Sequence, residues 1–153
     1  MKFNDFLQQE NKVEAEPLTE GVQDSLQNIV DSLTQASHVA QTAHWNLRSG
    51  AFVAIHPWLG DVYGTLAGMA DEVAEQIKIS DINLMVSVGS IGTFAGTDEQ
   101  QLFVEVGGAL QGVKNSLENA ARDPSLSRVL QNLIDGWIAT IDKMIWFVKA
   151  SIK

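Results

Sequence analysis

The residues of this chain that could bind a metal ion are histidines and carboxylates at regular spacings. His44 and His56 precede Asp71 and Glu75, and a spacing of four places the two acids on one helix face. Imidazole and carboxylate together suit iron, manganese or zinc. Such an acid pair is more often a solvated surface, and a histidine near an apolar face more often a hydrogen-bonded core residue, so spacing alone does not establish a metal site. We interpret His38, turned away from His44 on the helix, as a structural or surface residue.

The distance between His56 and Asp71 decides how such a site could be built. Fifteen residues of helix rise by about 22 Å, so these two residues of one chain cannot hold one ion. At about 100° per residue they nevertheless share a narrow stripe with four others: Gly60, Gly64, Gly68 and Glu75. An antiparallel copy of this helix across a two-fold axis would bring His56 to the acids of the partner chain, and the glycines would let the helices approach closely. The pattern therefore predicts a dimer with two equivalent sites.

The apolar periodicity predicts an all-α protein that forms a four-helix bundle. The expected helices run from Thr19, as N-cap, to about Asn46; from about Val53 to Ser80; from Thr97, in a capping box with Gln100, to about Arg122; and from about Leu126 to Ile152. Pro57 is acceptable because it lies near the start of its helix. The buried face expected of the first helix is Val22, Leu26, Ile29, Leu33, Ala36, Ala40 and Ala43, and that of the last is Val129, Leu130, Leu133, Ile134, Trp137, Ile141, Ile145 and Val148.

These helices divide the chain into two parts. Residues 1–17 are polar and acidic, and we predict a flexible N-terminal arm. Residues 18–153 form one bundle domain, in which the glycine-rich stretch 81–96 is a long connection between helices 2 and 3. A connection of this length allows those two helices to run parallel.

Composition limits the function classes. The chain has 153 residues, 45% of them hydrophobic, and no cysteine, which excludes disulfides and thiolate metal sites. The start MKFNDFLQQE lacks the apolar core of a secretory signal and no membrane span is evident, so we expect a cytoplasmic protein without a membrane partner. A net charge of −9 with no basic tail disfavours DNA binding.

Other reaction classes lack their motifs. There is no cysteine nucleophile, no G-x-S-x-G and no strand followed by a phosphate-binding glycine loop. Glu-x-x-His, the motif of single-chain di-iron bundles, is also absent. A di-iron site built within one chain is therefore not expected.

Two segments share residue types and long spacings with a known family. The first contains AHWNLR at 43–48, then Phe52 and His56, then DEVAE at 71–75; the second is DKMIWFVKAS at 142–151. At these positions the chain resembles the Dps mini-ferritins, named for DNA-binding proteins from starved cells. The likeness covers about residues 20–153, and between 79 and 130 it extends only to helical character.

The resemblance implies a ferritin-like subunit that assembles, through two-fold dimers, into a hollow dodecamer with ferroxidase sites at the dimer interfaces. His44 and His56 would come from one chain, and Asp71 and Glu75 from the other, to bind two irons. The family oxidises Fe(II), preferably with hydrogen peroxide, and stores ferric mineral in the shell, which protects against oxidative damage. Trp45 would lie beside the site as an electron donor.

One position departs from the family pattern. The family usually has an aspartate four residues after the second histidine, where this chain has Gly60. Asp61 is turned by about 100° and would replace that ligand only if the helix were distorted near Pro57. We therefore predict a weak second iron and slower or peroxide-dependent oxidation. The alternatives are a Dps-like cage with impaired ferroxidase activity, acting as a structural or metal-binding shell, and a plain helical oligomer with solvated acids.

Overall fold

Four long helices account for most of the residues that the structure describes. In a computed structural model, which describes residues 20–80, 82, 85–86 and 98–152, they are α1 (Glu20–Asn46), α2 (Phe52–Ile79), α3 (Glu99–Ala121) and α4 (Arg128–Ser151). The predicted all-α bundle is confirmed. The N-terminal arm, the Thr19 cap and most of the connection 81–96 lie outside the described residues. No helix among those described is long and apolar enough to cross a membrane.

Side-chain contacts fix the direction of α4 relative to its neighbours. Trp58, early in α2, stacks on Phe147, late in α4, with ring centroids 4.3 Å apart. Glu72, late in α2, accepts a hydrogen bond from Trp137, earlier in α4. The two helices are therefore antiparallel.

α3 and α4 are also antiparallel. Lys114 pairs with Asp142 at 2.5 Å, whereas Gly107, two turns earlier in α3, lies against Val148, later in α4. Because α3 and α2 are each antiparallel to α4, they run parallel to each other. This is the arrangement that the long connection between helices 2 and 3 was expected to allow.

The core forms where these helices face one another. All seven residues expected on the buried face of α1 are buried. In α4 the expected face is buried except at its start, where Leu133 is half-buried and Val129 is 60% exposed. Val129 was assigned wrongly because it lies about 100° around the helix from Leu130, which is 1% exposed, and so faces solvent.

The caps of α3 and α4 lie slightly beyond the predicted positions. Asp98 is the N-cap of α3, and its carboxylate accepts hydrogen bonds from the backbone N–H groups of Gln100 and Gln101. Ser127 caps α4 in the same way, through the N–H of Leu130. Asp98, and not Thr97, is the N-cap. A carboxylate accepts hydrogen bonds from the first N–H groups of a helix at least as well as a hydroxyl does, and its negative charge is stabilised by the positive end of the helix dipole.

Candidate metal centre

His44 and His56 form a pair at one end of the α1–α2 interface. Their ring centroids are 3.7 Å apart and the rings are tilted by 33°. Nδ1 of His44 lies 2.8 Å from the backbone carbonyl oxygen of His56. Since a carbonyl can only accept, Nδ1 carries a proton, and in the neutral ring this leaves the lone pair on Nε2. Metal-binding histidines are usually held in this tautomer by the same kind of bond.

Aromatic and polar contacts hold the pair in place. The Phe52 ring lies 4.5 Å from that of His56, and the Tyr63 ring meets that of His44 edge-on at 5.5 Å. Ser37, the buried polar residue of α1, donates its hydroxyl to the Tyr63 carbonyl at 2.9 Å. These contacts fix the rotation of α1 against α2, and hence the direction of both imidazoles.

The turn before α2 is tied to the start of α3. The hydroxyl of Ser49 donates to the Glu99 carboxylate and accepts the backbone N–H of Ala51 at 2.9 Å. Next to it, Arg48 and Asp98 form an isolated backbone bridge. Two contacts therefore hold the turn before α2 to the start of α3, a feature that the sequence did not predict.

The two predicted carboxylates lie far along the same helix. Asp71 and Glu75 are both exposed on α2. Among the described residues, no group of three or more histidines, aspartates and glutamates within one chain could hold a metal ion. The structure thus brings His44 and His56 together, but it does not bring the two acids to them within one chain.

Glu72, between the two acids, has a different environment. Its carboxylate accepts a hydrogen bond of 3.0 Å from the indole N–H of Trp137, which is only 6% exposed. Sequence reasoning identified Trp137 as core but missed this bond, because nothing in the periodicity of α2 points to a partner 65 residues away.

Position 60 faces the ring of His44 without offering a ligand atom. A Cβ built on Gly60 would lie 3.6 Å from Cε1 and 3.8 Å from Nδ1 of His44. α2 is unbroken through Pro57, so Asp61 stays turned by about 100° from position 60, and its side chain is exposed. The distortion on which an Asp61 ligand depended is therefore not present.

The other glycines of the stripe make no packing contact with the part of the chain that the structure describes. Gly64 and Gly68 are exposed, and a Cβ at either position would meet nothing within 4 Å. A glycine inside a helix costs about 1 kcal/mol relative to alanine. Among the described residues of a single chain, no contact at Gly64 or Gly68 offsets this cost.

Two other residues of α1 complete the surroundings. Trp45, the predicted electron donor, is adjacent to His44 in sequence and 68% exposed. His38 is half-buried, and its Nδ1 donates to the Thr34 carbonyl one turn earlier, at 2.8 Å. His38 is thus satisfied within its own helix, as its structural interpretation requires.

Known structures share this architecture. No protein-family model matches the chain. Dps from Staphylococcus aureus superposes with a TM-score of 0.79 at 20% identity, over 90% of this chain and 98% of that one. A zinc-soaked Dps from Listeria innocua gives 0.76 at 22% identity, over 84% and 94%. Dps from Mycobacterium smegmatis gives 0.74 at 20% identity, over 85% and 84%.

At these identities the likeness establishes architecture and leaves the chemistry to be argued from the residues. The matches cover 84–90% of this chain and 84–98% of the other chains, so the four-helix architecture is shared. The chain has the ferritin-like four-helix fold of the Dps proteins.

Proposed function

We propose that this chain is a Dps-type mini-ferritin, which oxidises Fe(II) with hydrogen peroxide at sites between subunits and stores ferric mineral in a dodecameric shell. The observation that carries the proposal is the histidine pair. His44 is fixed as the tautomer that presents Nε2, on a chain with the Dps fold, and the Asp71 and Glu75 carboxylates are exposed on the helix that also bears His56.

The glycine stripe supports a two-fold dimer. If an antiparallel copy of α2 crosses at an axis beside Gly64, Gly60 of each chain stands opposite Gly68 of the partner subunit. The same register sets His56 opposite the turn that holds Asp71 and Glu75 of the partner subunit. Gly64 and Gly68, which contact no described residue across their exposed face, would then allow the backbones to approach, which accounts for their cost.

Exposed apolar side chains lie at both ends of this face. Phe52 and Val53, at the start of α2, are 44% and 87% exposed, and Ile79, at its end, is 71% exposed. An antiparallel pairing places the start of one α2 against the end of the other, so these groups would cover each other. Burying them is worth about 25 cal/mol per Å² of apolar surface.

The residues define what the site can do with its substrate ions. Neutral imidazole nitrogens and two carboxylates are a ligand set suited to iron, and the carboxylates offset the charge of Fe(II) and of the ferric product. Two Fe(II) ions supply the two electrons that reduce one hydrogen peroxide to two hydroxide ions. The peroxide is then consumed without release of hydroxyl radical.

A second function is favoured by Gly60. Because position 60 supplies no ligand beside His44, the second iron would be held by fewer protein groups than the first. The corresponding proposal is a cage with impaired oxidation, which serves as a metal-binding or structural shell. The rate of Fe(II) oxidation with and without peroxide separates it from the first.

Mixed assemblies test whether the site is shared between subunits. One variant carries His44→Ala and His56→Ala, and the other Asp71→Ala and Glu75→Ala. Neither should oxidise Fe(II) alone. In a two-fold dimer that contains one chain of each variant, one of the two sites has both its histidines and its acids, and the other site has neither. Co-assembled protein should therefore regain activity at half of the sites in each mixed dimer.

The wild-type chain and each variant assembled alone are the controls, with particle size measured by light scattering. Failure of the mixture to recover any activity, with mixed particles confirmed by native mass spectrometry, would contradict the shared site. A wild-type chain that stays monomeric at micromolar concentration would contradict the cage itself.

A further inference from the structure

We infer that a polar cleft between α1 and α3 binds a divalent cation through its shell of water, without direct contact between the ion and the protein. The cleft has a volume of about 310 Å³, and every described residue that lines it is polar. The lining side chains belong to α1, between Ser25 and Gln35, and to α3, at Ser116 and Asn119. None of these residues lies on α2, so the inference goes beyond the proposed function and does not depend on it.

The serines of the cleft have already committed their hydroxyl hydrogens. Ser25 and Ser32 donate to backbone carbonyls about one turn earlier on α1, at 2.9 and 3.0 Å. Ser116 donates in the same way to a carbonyl of α3, at 3.2 Å. Because a carbonyl oxygen can only accept, each hydroxyl hydrogen must point at its own helix. What these serines offer to the cleft is therefore acceptor lone pairs.

Asp31 adds a negative charge to the same lining. Its Oδ1 accepts a hydrogen bond of 2.9 Å from the side-chain amide of Gln27, one turn earlier. An ionised carboxylate has about four lone-pair sites and no proton to donate, so acceptor positions remain after this bond. A lining that is rich in acceptors and carries a negative charge suits a ligand that is positively charged and donates hydrogen bonds.

The ligand set favours a hydrated ion over a bare one. Among the described residues, no group of three or more histidines, aspartates and glutamates could hold a metal ion directly. Ions such as Mg²⁺ lose water reluctantly, and the waters that they keep point their hydrogens outward, so a hydrated ion presents only donors. At about 30 Å³ per water, a cleft of about 310 Å³ has room for about ten waters, more than a complete octahedral shell requires.

The surrounding charges place the cation on the α1 side of the cleft. The net charge of −9 attracts cations from solution. Arg122 is exposed and donates to Oδ1 of Asn119 at 3.3 Å, so a positive group borders the α3 wall. Lys114 is turned toward α4, where it pairs with Asp142. The favourable position is therefore beside Asp31, with the waters of the ion reaching across to α3.

An ion held in this way would join α1 to α3. Its waters would donate to acceptors on both helices, and its charge would offset that of Asp31. Because the cleft exists only in the folded subunit, the ion should stabilise the bundle, and the unfolding temperature should rise with the concentration of Mg²⁺.

Hexaamminecobalt(III) is a probe for this mode of binding. Its ammonia ligands do not exchange, so it offers N–H donors in the shape of a hydrated ion and cannot be bound directly. Equilibrium dialysis of the protein in its native assembly state, at fixed ionic strength, measures the bound probe by absorbance, and Mg²⁺ is then added as a competitor. Each wild-type chain should bind the probe, and Mg²⁺ should displace it. The inference would be overturned if the probe did not bind, or if Mg²⁺ did not displace it.

Asp31→Asn and Asp24→Asn are a matched pair of variants. Each removes a negative charge from α1, but Asp24 is exposed and does not line the cleft. The amide introduced in Asp31→Asn can still accept from Gln27, so the fold should be kept. Asp31→Asn should weaken probe binding by about fivefold or more, the factor expected from losing the attraction of a unit charge in water, and should abolish the effect of Mg²⁺ on the unfolding temperature. Asp24→Asn should retain both. Equal losses in the two variants would show that the probe responds to overall charge, and would refute the site.

Ser116→Ala tests the α3 wall without a change of charge. The loss of a hydrogen bond should weaken probe binding about two- to tenfold. If Ser116→Ala bound the probe as tightly as the wild type, the ion would not be held between two helices and the inference would be wrong. None of these measurements uses iron, so the proposed function and the cation site can fail independently.

Discussion

Replacing Gly60 by aspartate should create a firm second iron position. The Cβ would stand 3.6 Å from Cε1 of His44, an ordinary van der Waals contact, so the side chain fits without moving the imidazole. Its carboxylate would then extend beside the histidine pair. Removing a residue that hydrogen-bonds to a metal ligand typically lowers the affinity for the metal 10- to 100-fold. Adding a direct ligand should therefore raise the affinity for the second iron by at least about that factor, or ~1.4–2.7 kcal/mol.

The substitution should not disturb the fold. Aspartate is about 0.3 kcal/mol better than glycine within a helix, and position 60 has room for a side chain. Gly60→Ala is the matched control, because it fills the same space without a ligand atom. It should raise the free energy of unfolding by up to about 1 kcal/mol and leave iron affinity unchanged.

The assay is anaerobic calorimetric titration of the assembled protein with Fe(II), followed by stopped-flow oxidation. Wild type and Gly60→Ala should show one tight and one weak iron per site, and Gly60→Asp two tight ones with faster oxidation. If the wild type already binds two irons per site with equal affinity, the argument from Gly60 is refuted. If Gly60→Asp binds no more tightly than Gly60→Ala, position 60 does not face the second iron.

Four further outcomes are expected. Gly64→Ala should stabilise the isolated subunit by about 1 kcal/mol, measured by thermal unfolding, yet weaken assembly, measured by sedimentation. If the variant subunit were more stable and also assembled more tightly, the close pairing of helices at this glycine would be contradicted. Asp98→Ala should cost about 1 kcal/mol of stability by denaturant unfolding, and Asp98→Asn much less, because amide oxygens also cap helices. Hydrogen bonds from the hydroxyl and the N–H of Ser125 lower the pKa of Asp123. The ionised carboxylate therefore stabilises the fold at pH values above its ordinary pKa, and this stabilisation is lost as the pH falls through the lowered pKa of the folded state. Ser125→Ala should raise the pKa of Asp123 in an NMR titration. With a net charge of −9, the assembled protein should not retard DNA in a gel at physiological salt, and salt-sensitive retardation would contradict this.

The helices were predictable because each repeats an apolar pattern over six or more turns. The predicted ends of α1 and α2 agree with the structure to within one residue. The caps were less predictable, since Thr97, Asp98 and Ser127 are all residues that can cap, and the choice depends on where the preceding turn places the backbone.

The candidate site was predictable only in part. The span of α2 showed that the histidines and acids could not meet in one chain, and the structure separates them accordingly. The sequence could not show that His44 bonds the carbonyl of His56, or that Glu72 faces Trp137. Both contacts depend on how the helices are rotated against each other. The apolar periodicity shows which face of a helix is buried, but it does not show which side chain of a neighbouring helix a given residue contacts.

The exposed face of α2 breaks the rules that the rest of the chain follows. Three glycines lie inside a helix, and large apolar residues flank it in solvent, although the buried faces of the helices are well packed. Natural sequences tend to depart from such local rules where a functional surface requires it. A Cβ at two of these glycines would meet no described residue of the same chain, and a Cβ at the third would meet His44. The departures therefore lie on one surface, which is the one proposed to hold both the partner helix and the iron. Gly60, where we propose that the second iron lacks a ligand, is therefore the glycine of the stripe at which an added Cβ would meet the His44 ring.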